Sequence, residues 1–405
     1  MGNLLMPRVA SPFTLIALMC LCEVLTTLDV FAFAALLPHF GELWALSSSD
    51  LGWISGIFFA GYTLAVPVLV SLTDRIDARP IYMGGALTIA VASIGFAMLA
   101  EGFWTAMLFR FLAGAGFAGA YMPGLRVLVD RYNGSNQGRA VACYTGCFSL
   151  GVAMSYLTAG EVQSIFGWRL VFWTTAGAAV LATALIAVLL RPVNPTRAKT
   201  SSNLLDFRPV LQDRMVMGYV LCYGVHAWEL LGLRAWIVAF LAFSYALNDG
   251  GWFVPTHAAA LGALLAIGAS IIGGELAVRY GRRRVIGIVM TISAVMACGT
   301  GFVSDTPYGV LVGFTFVYIL FVQGESAALT TGTLQAAPPG RQGATLAVHT
   351  ICGFIGGCSG AVVFGVVLEN TGGGATVNSW GFAFVSLGLA VAMGPLLLML
   401  TRQSK

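Results

Sequence analysis

The chain has 405 residues, of which 58% are hydrophobic and only 9% charged, and its formal net charge is +4. Soluble domains carry roughly a quarter of their residues as charged side chains, so this composition, with a mean hydropathy of +0.86, excludes a water-soluble fold. What remains is an integral membrane protein, for which no nucleic-acid partner is expected.

A helix needs about 20 apolar residues to cross the hydrocarbon, and only helices or closed barrels satisfy every backbone group there. The apolar segments reach that length without strand alternation, so the expected fold is all-α. In chain order they fall at 13–36, 51–72, 80–100, 103–126, 140–162 and 169–190, then at 215–240, 252–274, 285–303, 308–330, 343–368 and 379–400. Between the two sets lies Arg191 to Arg214, the longest interval without an apolar run. It contains Pro192, Pro195, Arg197, Lys199, Ser201, Ser202, Asp206, Arg208, Pro209 and Asp213. The expected organisation is a six-helix bundle over 1–190, a linker over 191–214 and a second six-helix bundle over 215–405.

Twelve crossings leave both termini on one side, and the Lys/Arg distribution identifies that side as cytoplasmic. Arg8, Arg75 and Arg79, Arg131 and Arg139, the linker, Arg279 and Arg282 to Arg284, Arg341, and Arg402 with Lys405 all fall on alternate loops. The opposite loops carry Glu42, Asp50, Glu101, Asp249, Asp305 and Glu369, with Arg169 the single Arg among them. Arg8 ahead of an apolar run ending in Ala32-Phe33-Ala34 also has the form of a signal peptide. Cleavage there would leave eleven spans and spoil the charge alternation. Met6 stands where a myristoylation motif on Gly2 needs Ser or Thr.

All eight cysteines, Cys20, Cys22, Cys143, Cys147, Cys222, Cys298, Cys352 and Cys358, lie inside the spans and read as small apolar residues. No disulfide framework, metal site or cofactor is expected. Cys20 and Cys22, two apart on a helix, point to different sides.

A loop pattern occurs twice. After span two stands Leu72-Thr73-Asp74-Arg75-Ile76-Asp77-Ala78-Arg79, and after span eight stands Gly274-Glu275-Leu276-Ala277-Val278-Arg279-Tyr280-Gly281-Arg282-Arg283-Arg284. Here the chain resembles the major facilitator superfamily of secondary transporters, whose loop reads Gly-x-Leu-Ala-Asp-Arg-x-Gly-Arg-Arg. Leu72, Asp74, Arg75 and Arg79 match in the first copy, where Val70, Asp77 and Ala78 depart. Gly274, Leu276, Ala277, Arg279, Gly281, Arg282 and Arg283 match in the second, where Val278 replaces the Asp. The resemblance implies that Asp74 and Arg75 act in gating on the cytoplasmic side. The simpler alternative makes these residues positive-inside anchors, and it is preferred for Arg282 to Arg284.

Two more elements carry the likeness. Arg110-Phe-Leu-Ala-Gly114-Ala-Gly116 in span four is similar to the family's Arg-x-x-x-Gly-x-Gly, and Gly167-Trp168-Arg169 opens span six. The span-four stretch also fits G-x-G-x-x-G, but it lacks the preceding strand and the acidic residue of a dinucleotide site. Gly114 and Gly116, like Gly356 and Gly360 at GxxxG spacing, are expected to let helices approach closely.

Function is expected where charge is buried, because an ionisable group near mid-membrane costs about 2.5–3.5 kcal/mol on the lenient insertion scale. The candidates are Glu23, Asp29, Arg110, His226, Glu229, Arg234, Glu325 and His349. Depth places Asp29 and Arg110 together in the outer third. Two readings stand: a pair opened by protonation of Asp29, or a permanent pair that orients two helices. His226 and Glu229 are three apart on one helix face, where they could contact substrate and exchange a proton. Glu325 and His349 share the inner half and could meet there; for each lone residue the plain alternative is a satisfied polar contact within the bundle. Arg126, after Pro123-Gly124, either snorkels or faces the inner vestibule, where it would attract an anion.

The sequence carries no G-x-S-x-G, H-E-x-x-H or Walker loop, so an enzyme or ATP-driven pump lacks its usual marks. The resemblance implies alternating access by a twelve-helix, two-bundle monomer in the lipid bilayer. Its ligand would be a small-molecule solute moved with protons. A small anion or organic metabolite is favoured. Trp228-Glu229-Leu230-Leu231-Gly232-Leu233-Arg234-Ala235-Trp236 and Gly324-Glu325-Ser326-Ala327-Ala328-Leu329-Thr330 resemble a bacterial branch of cyanate-permease-like carriers. A proton-driven exporter is the alternative. Span five lacks the proline of the drug-antiporter signature, which counts against that alternative. A non-transporting sensor or scaffold ranks third. Short loops point to a bacterial inner membrane, and Asn133-Gly-Ser135 is expected on a cytoplasmic loop, unglycosylated.

Overall fold

The first span does not run as one helix. In the computed structural model, which describes residues 11–132, 134, 136–193, 207–339 and 341–401, helix α1 covers Pro12–Thr27 and is followed by a turn, then α2 (Ala32–Ala35) and α3 (Leu37–Leu43). Ser11 caps α1 by accepting from the Thr14 N–H, and Pro12 occupies the first turn, where its missing N–H costs nothing. Pro38 sits equivalently at the start of α3.

Apart from span ten, the other helices are as long as their expected spans or longer. They are α4 (Ser48–Leu72), α5 (Ala78–Leu99), α6 (Phe103–Arg131), α7 (Gln137–Phe166) and α8 (Trp168–Leu189). After a short α9 (Arg208–Gln212) come α10 (Arg214–Leu247), α11 (Pro255–Tyr280), α12 (Arg282–Thr300), α13 (Tyr308–Gly324), α14 (Ser326–Ala336), α15 (Gln342–Asn370) and α16 (Val377–Leu400). Among the described residues there is no strand. Among the described residues eleven helical spans, with α13 and α14 counted as one, are long and apolar enough to cross a membrane, and α1 adds a shorter apolar one. Span ten is broken at Glu325, so it comprises α13 and α14. Arg8, most of the linker (194–206), Asn133, Ser135, Arg402 and Lys405 lie outside the described residues.

Helix ends follow their caps. Asp77 accepts from the Arg79 N–H at 3.1 Å, and Asp213 accepts from the Met215 and Val216 N–H groups at 2.9 and 3.1 Å. Thr376 and Ser379 form a reciprocal capping box on α16. Gly167 (φ +83°) and Gly281 (φ +92°) reverse the chain between α7 and α8 and between α11 and α12, in a backbone region that L side chains rarely adopt.

Contacts group the chain into two units: Met1–Ala32 with Gly61–Ser202, and Phe33–Ala60 with Asn203–Lys405. Boundaries therefore fall inside α2 and inside α4. In the first unit α5 and α6 cross at Gly85, Gly116 and Gly119, where a Cβ on Gly116 would lie 2.8 Å from the Gly85 carbonyl oxygen. Gly114 is buried in α6 beside them. In the second unit α10 and α15 meet backbone to backbone: a Cβ on Gly356 would overlap the Gly224 carbonyl, and one on Gly360 would overlap that of Trp228. The start of α4 also packs on α15, with Gly52 facing the Ala361 carbonyl oxygen and Gly56 that of Cys358. Lipid tails are as apolar as Leu, so helices gain by close dispersion contact rather than by hydrophobic burial, and glycine permits that approach. The outward faces stay apolar and exposed, as at Leu64, Val91, Trp104, Ile271 and Val295, which suits hydrocarbon and not water.

Candidate functional site

In the first unit the break in span one creates the site. Residues 28–31 leave the helix, so the carbonyls of Asp29 and Val30 turn sideways. Arg110 of α6 takes both: Nη1 donates to the Asp29 carbonyl at 2.9 Å and Nη2 to that of Val30 at 2.7 Å. The same Nη1 lies 2.8 Å from Asp29 Oδ2, an ion pair whose side chains are each 3% exposed. Ser93 of α5 and Thr175 of α8 donate to the other carboxylate oxygen at 2.8 and 3.3 Å. Three helices, α5, α6 and α8, therefore converge on Asp29.

Glu23, farther back on α1, is fully buried. Its Oε2 lies 2.8 Å from the Tyr144 hydroxyl of α7, and its Oε1 lies 3.2 Å from that of Thr27. Tyr144 also donates to the Tyr121 carbonyl at 2.8 Å, and Tyr82 of α5 donates to the Cys22 carbonyl at 3.2 Å.

In the second unit the interruption between α13 and α14 plays the corresponding part. Gly273 of α11 brings its backbone against the Gly324 carbonyl, leaving no room for a side chain. Glu325, at the break, turns inward to His226 Nδ1 at 3.0 Å, and both side chains are wholly buried. Glu229, one turn on from His226, goes elsewhere, accepting from Ser293 of α12 at 2.8 Å and Tyr318 of α13 at 2.9 Å. Arg234 donates to Gln323 Oε1 at 3.3 Å. His349 bonds Thr333 at 3.1 Å through Nδ1, and the Tyr223 ring stacks on it with centroids 3.7 Å apart. Glu325 thus takes His226 as its hydrogen-bonding partner, and His349 takes Thr333.

The loop-side charges form separate clusters. Arg126 lies 3.6 Å from Asp74, and its Nε lies 2.8 Å from Asp130, an ion pair by distance rather than an aligned hydrogen bond. Arg79 caps the carbonyl end of α8, donating to Ala187 at 2.8 Å and Ile186 at 3.4 Å. Arg75 is exposed. Asp77 is a hub: besides the Arg79 N–H it accepts from Arg131 Nη2 at 2.7 Å and from the Val193 N–H at 3.0 Å. Burial works to raise the Asp77 pKa, but these donors outweigh it and hold the carboxyl below its ordinary value. In the second copy of the loop pattern Arg279 pairs with Glu275 at 2.8 Å, Gly274 is half-buried, and Arg282 bonds Gln335. Arg283 donates to the Leu398 carbonyl at 3.2 Å and lies over the Tyr219 ring.

Residues 19–361 match the sequence profile of the Major Facilitator Superfamily. The chain belongs to that superfamily. It is accordingly a multi-pass membrane protein of a transporter family, with the twelve-helix major facilitator fold. It is 24% identical over 243 residues to Protein spinster homolog 1 of Homo sapiens, covering 56% of this chain and 45% of that protein. The match thus spans less than half the length of that relative. It is 25% identical over 282 residues to the uncharacterized MFS-type transporter YcaD of Salmonella typhimurium, covering 68% of this chain and 70% of that one. The fold is also that of a bacterial homolog to the human lysosomal transporter Spinster. The inward-facing, occupied structure of that protein superposes with a TM-score of 0.71 at 17% identity, covering 95% of this chain and 94% of that one. The unoccupied structure gives 0.72 at 17% identity, with 96% and 95% covered.

The partners of these major facilitator charges escaped the sequence reading. Ser93, Thr175, Tyr144, Ser293, Tyr318 and Gln323 lie within apolar spans and belong to no motif. Asp77 did carry a signal, an Asp just ahead of an apolar run, which marks a helix N-cap.

Proposed function

We propose that the protein is a secondary active transporter that moves a small solute by alternating access between two six-helix bundles, residues 1–190 and 215–405, joined by the 191–214 linker. The coupling ion is the proton, and the solute is a small anion or organic metabolite. The observation that carries this reading is the number of ionisable side chains buried in the spans: Glu23, Asp29, His226, Glu229 and Glu325, with Arg110 and Arg234. A bundle held only by packing has no use for them, since each costs about 2.5–3.5 kcal/mol to place at mid-membrane. His and carboxyl groups can change charge as they exchange protons, whereas guanidinium stays positive and suits an anionic solute. Short loops and the Lys/Arg bias support a bacterial inner membrane with both termini cytoplasmic, and the family resemblance implies a monomer.

The test is transport in proteoliposomes, with and without an inside-alkaline pH gradient, screening small anions, monocarboxylates and cationic dyes. Gradient-driven anion accumulation that is lost in Arg234→Gln supports the reading. Dye movement against the gradient would make the protein a proton-driven exporter. A chain that moves nothing would be a sensor or scaffold.

A further inference from the structure

The hydrogen-bond geometry around Glu23 restricts where protons can sit. The Tyr144 hydroxyl has one hydrogen, yet its oxygen lies 2.8 Å from Glu23 Oε2 and 2.8 Å from the Tyr121 carbonyl oxygen. A carbonyl can only accept, so the Tyr144 hydrogen satisfies Tyr121, and the second short contact then needs its hydrogen from Glu23. Thr27 gives no relief, because its hydroxyl lies nearer the Glu23 main-chain carbonyl, at 2.7 Å, than the carboxyl, at 3.2 Å. An ionised Glu23 would be a buried carboxylate sharing one phenolic hydrogen with a carbonyl, which is costly inside a span. A protonated Glu23 completes the chain Glu23 to Tyr144 to Tyr121 with every hydrogen used.

We infer that Glu23 is a proton-binding site of the first unit, occupied in this conformation, and that Tyr144 relays its state to α6. The titratable groups facing Glu23 are Tyr144 and Cys147 from α7 and Tyr82 from α5, with Cys20 and Cys22 near it on α1. When Glu23 loses its proton, the Tyr144 hydrogen turns to the carboxylate, and the Tyr121 carbonyl keeps its place in the helix ladder but loses the donor from α7. That carbonyl lies next to Pro123, where α6 already lacks one N–H. Gly124 makes the relay possible, since a Cβ there would overlap the Tyr144 hydroxyl. Deprotonation thus unties α7 from α6 beside the proline turn. The Asp29–Arg110 pair does not have this lability: even with Asp29 neutral, Arg110 keeps the Asp29 and Val30 carbonyls, so it is a brace on the broken span. The role of Glu23 in coupling rests on the transporter reading, but its protonation does not.

Infrared difference spectroscopy of the purified protein in lipid tests this at neutral pH. Glu23→Gln should remove a protonated-carboxyl C=O band that Asp29→Asn leaves in place, and Tyr144→Phe should shift that band to higher frequency by removing its acceptor. A wild-type minus Glu23→Gln spectrum with no such band overturns the assignment. If Glu23→Gln does not fold, the Tyr144→Phe comparison decides, and an unshifted band overturns it. Because the band is read without transport, its absence counts against Glu23 alone, whereas proteoliposomes that move no solute count against the transporter reading alone.

Discussion

Arg131, at the end of α6, holds Asp77, the N-cap of α5, with Nη2 at 2.7 Å from Oδ2. The same guanidinium nitrogen reaches the Arg191 carbonyl at 2.9 Å, and Asp77 accepts from the Val193 N–H. One carboxylate thus ties the loop after α4, the end of α6 and the chain just beyond α8.

The pH dependence of this hub has a definite sign. An unfolded Asp titrates near about 3.9, and the folded Asp77 lies lower because Arg131 and two N–H groups outweigh burial. Its stabilisation is therefore fully present above the unfolded value and lost as pH falls through the folded one. Asp77→Asn should destabilise by about 1–3 kcal/mol at neutral pH. Thermal unfolding in detergent across pH should show the gap to wild type closing in acid, and a gap that widened there would contradict this.

Arg110 and Asp29 should respond unequally. Arg110→Ala strips three hydrogen bonds and leaves a buried carboxylate, a class of change that costs about 3–5 kcal/mol. Asp29→Asn leaves Arg110 on two carbonyls and should cost distinctly less. Thermal stability of both variants and the double variant checks this, and equal losses would show that the carbonyl bonds contribute nothing.

Close helix approach predicts a contrast between glycines. Gly356→Ala must push α15 off the Gly224 carbonyl and should cost about 1–3 kcal/mol or more. Gly146→Ala on α7 meets nothing within 4 Å and should be neutral. The melting temperatures of the two variants are the measurement.

For the second unit, Glu325→Gln keeps a hydrogen-bonding partner for His226 but cannot take up or release the proton. Gradient-driven flux should fall by about tenfold or more, the equivalent of one charge-assisted hydrogen bond, while thermal stability changes little. Flux that still followed the gradient would remove Glu325 from coupling.

The fold was readable because hydrocarbon imposes helices, and apolar length, glycine spacing and the repeated loop pattern are all local properties. That Asp29 and Arg110 lie within reach of each other follows from their positions along spans one and four, since rise per residue is fixed in a helix. What spacing could not give is azimuth and interruption. His226 and Glu229 share a face by sequence, yet one faces the break at Glu325 and the other faces Ser293 and Tyr318. The breaks at residues 28–31 and at Glu325 carry no proline, so no local signal announced them. They are held by Arg110 in one case and by the close approach of Gly273 in the other, which are tertiary contacts.

We propose that proton and solute move together through buried carboxyl groups. The direct measurement is the internal pH of proteoliposomes loaded with a pH-sensitive dye, followed when a transported solute is added outside with no gradient imposed. Internal pH should fall as the solute enters, and Glu23→Gln and Glu325→Gln should abolish this fall. Solute entry at unchanged internal pH in the wild-type protein would contradict it.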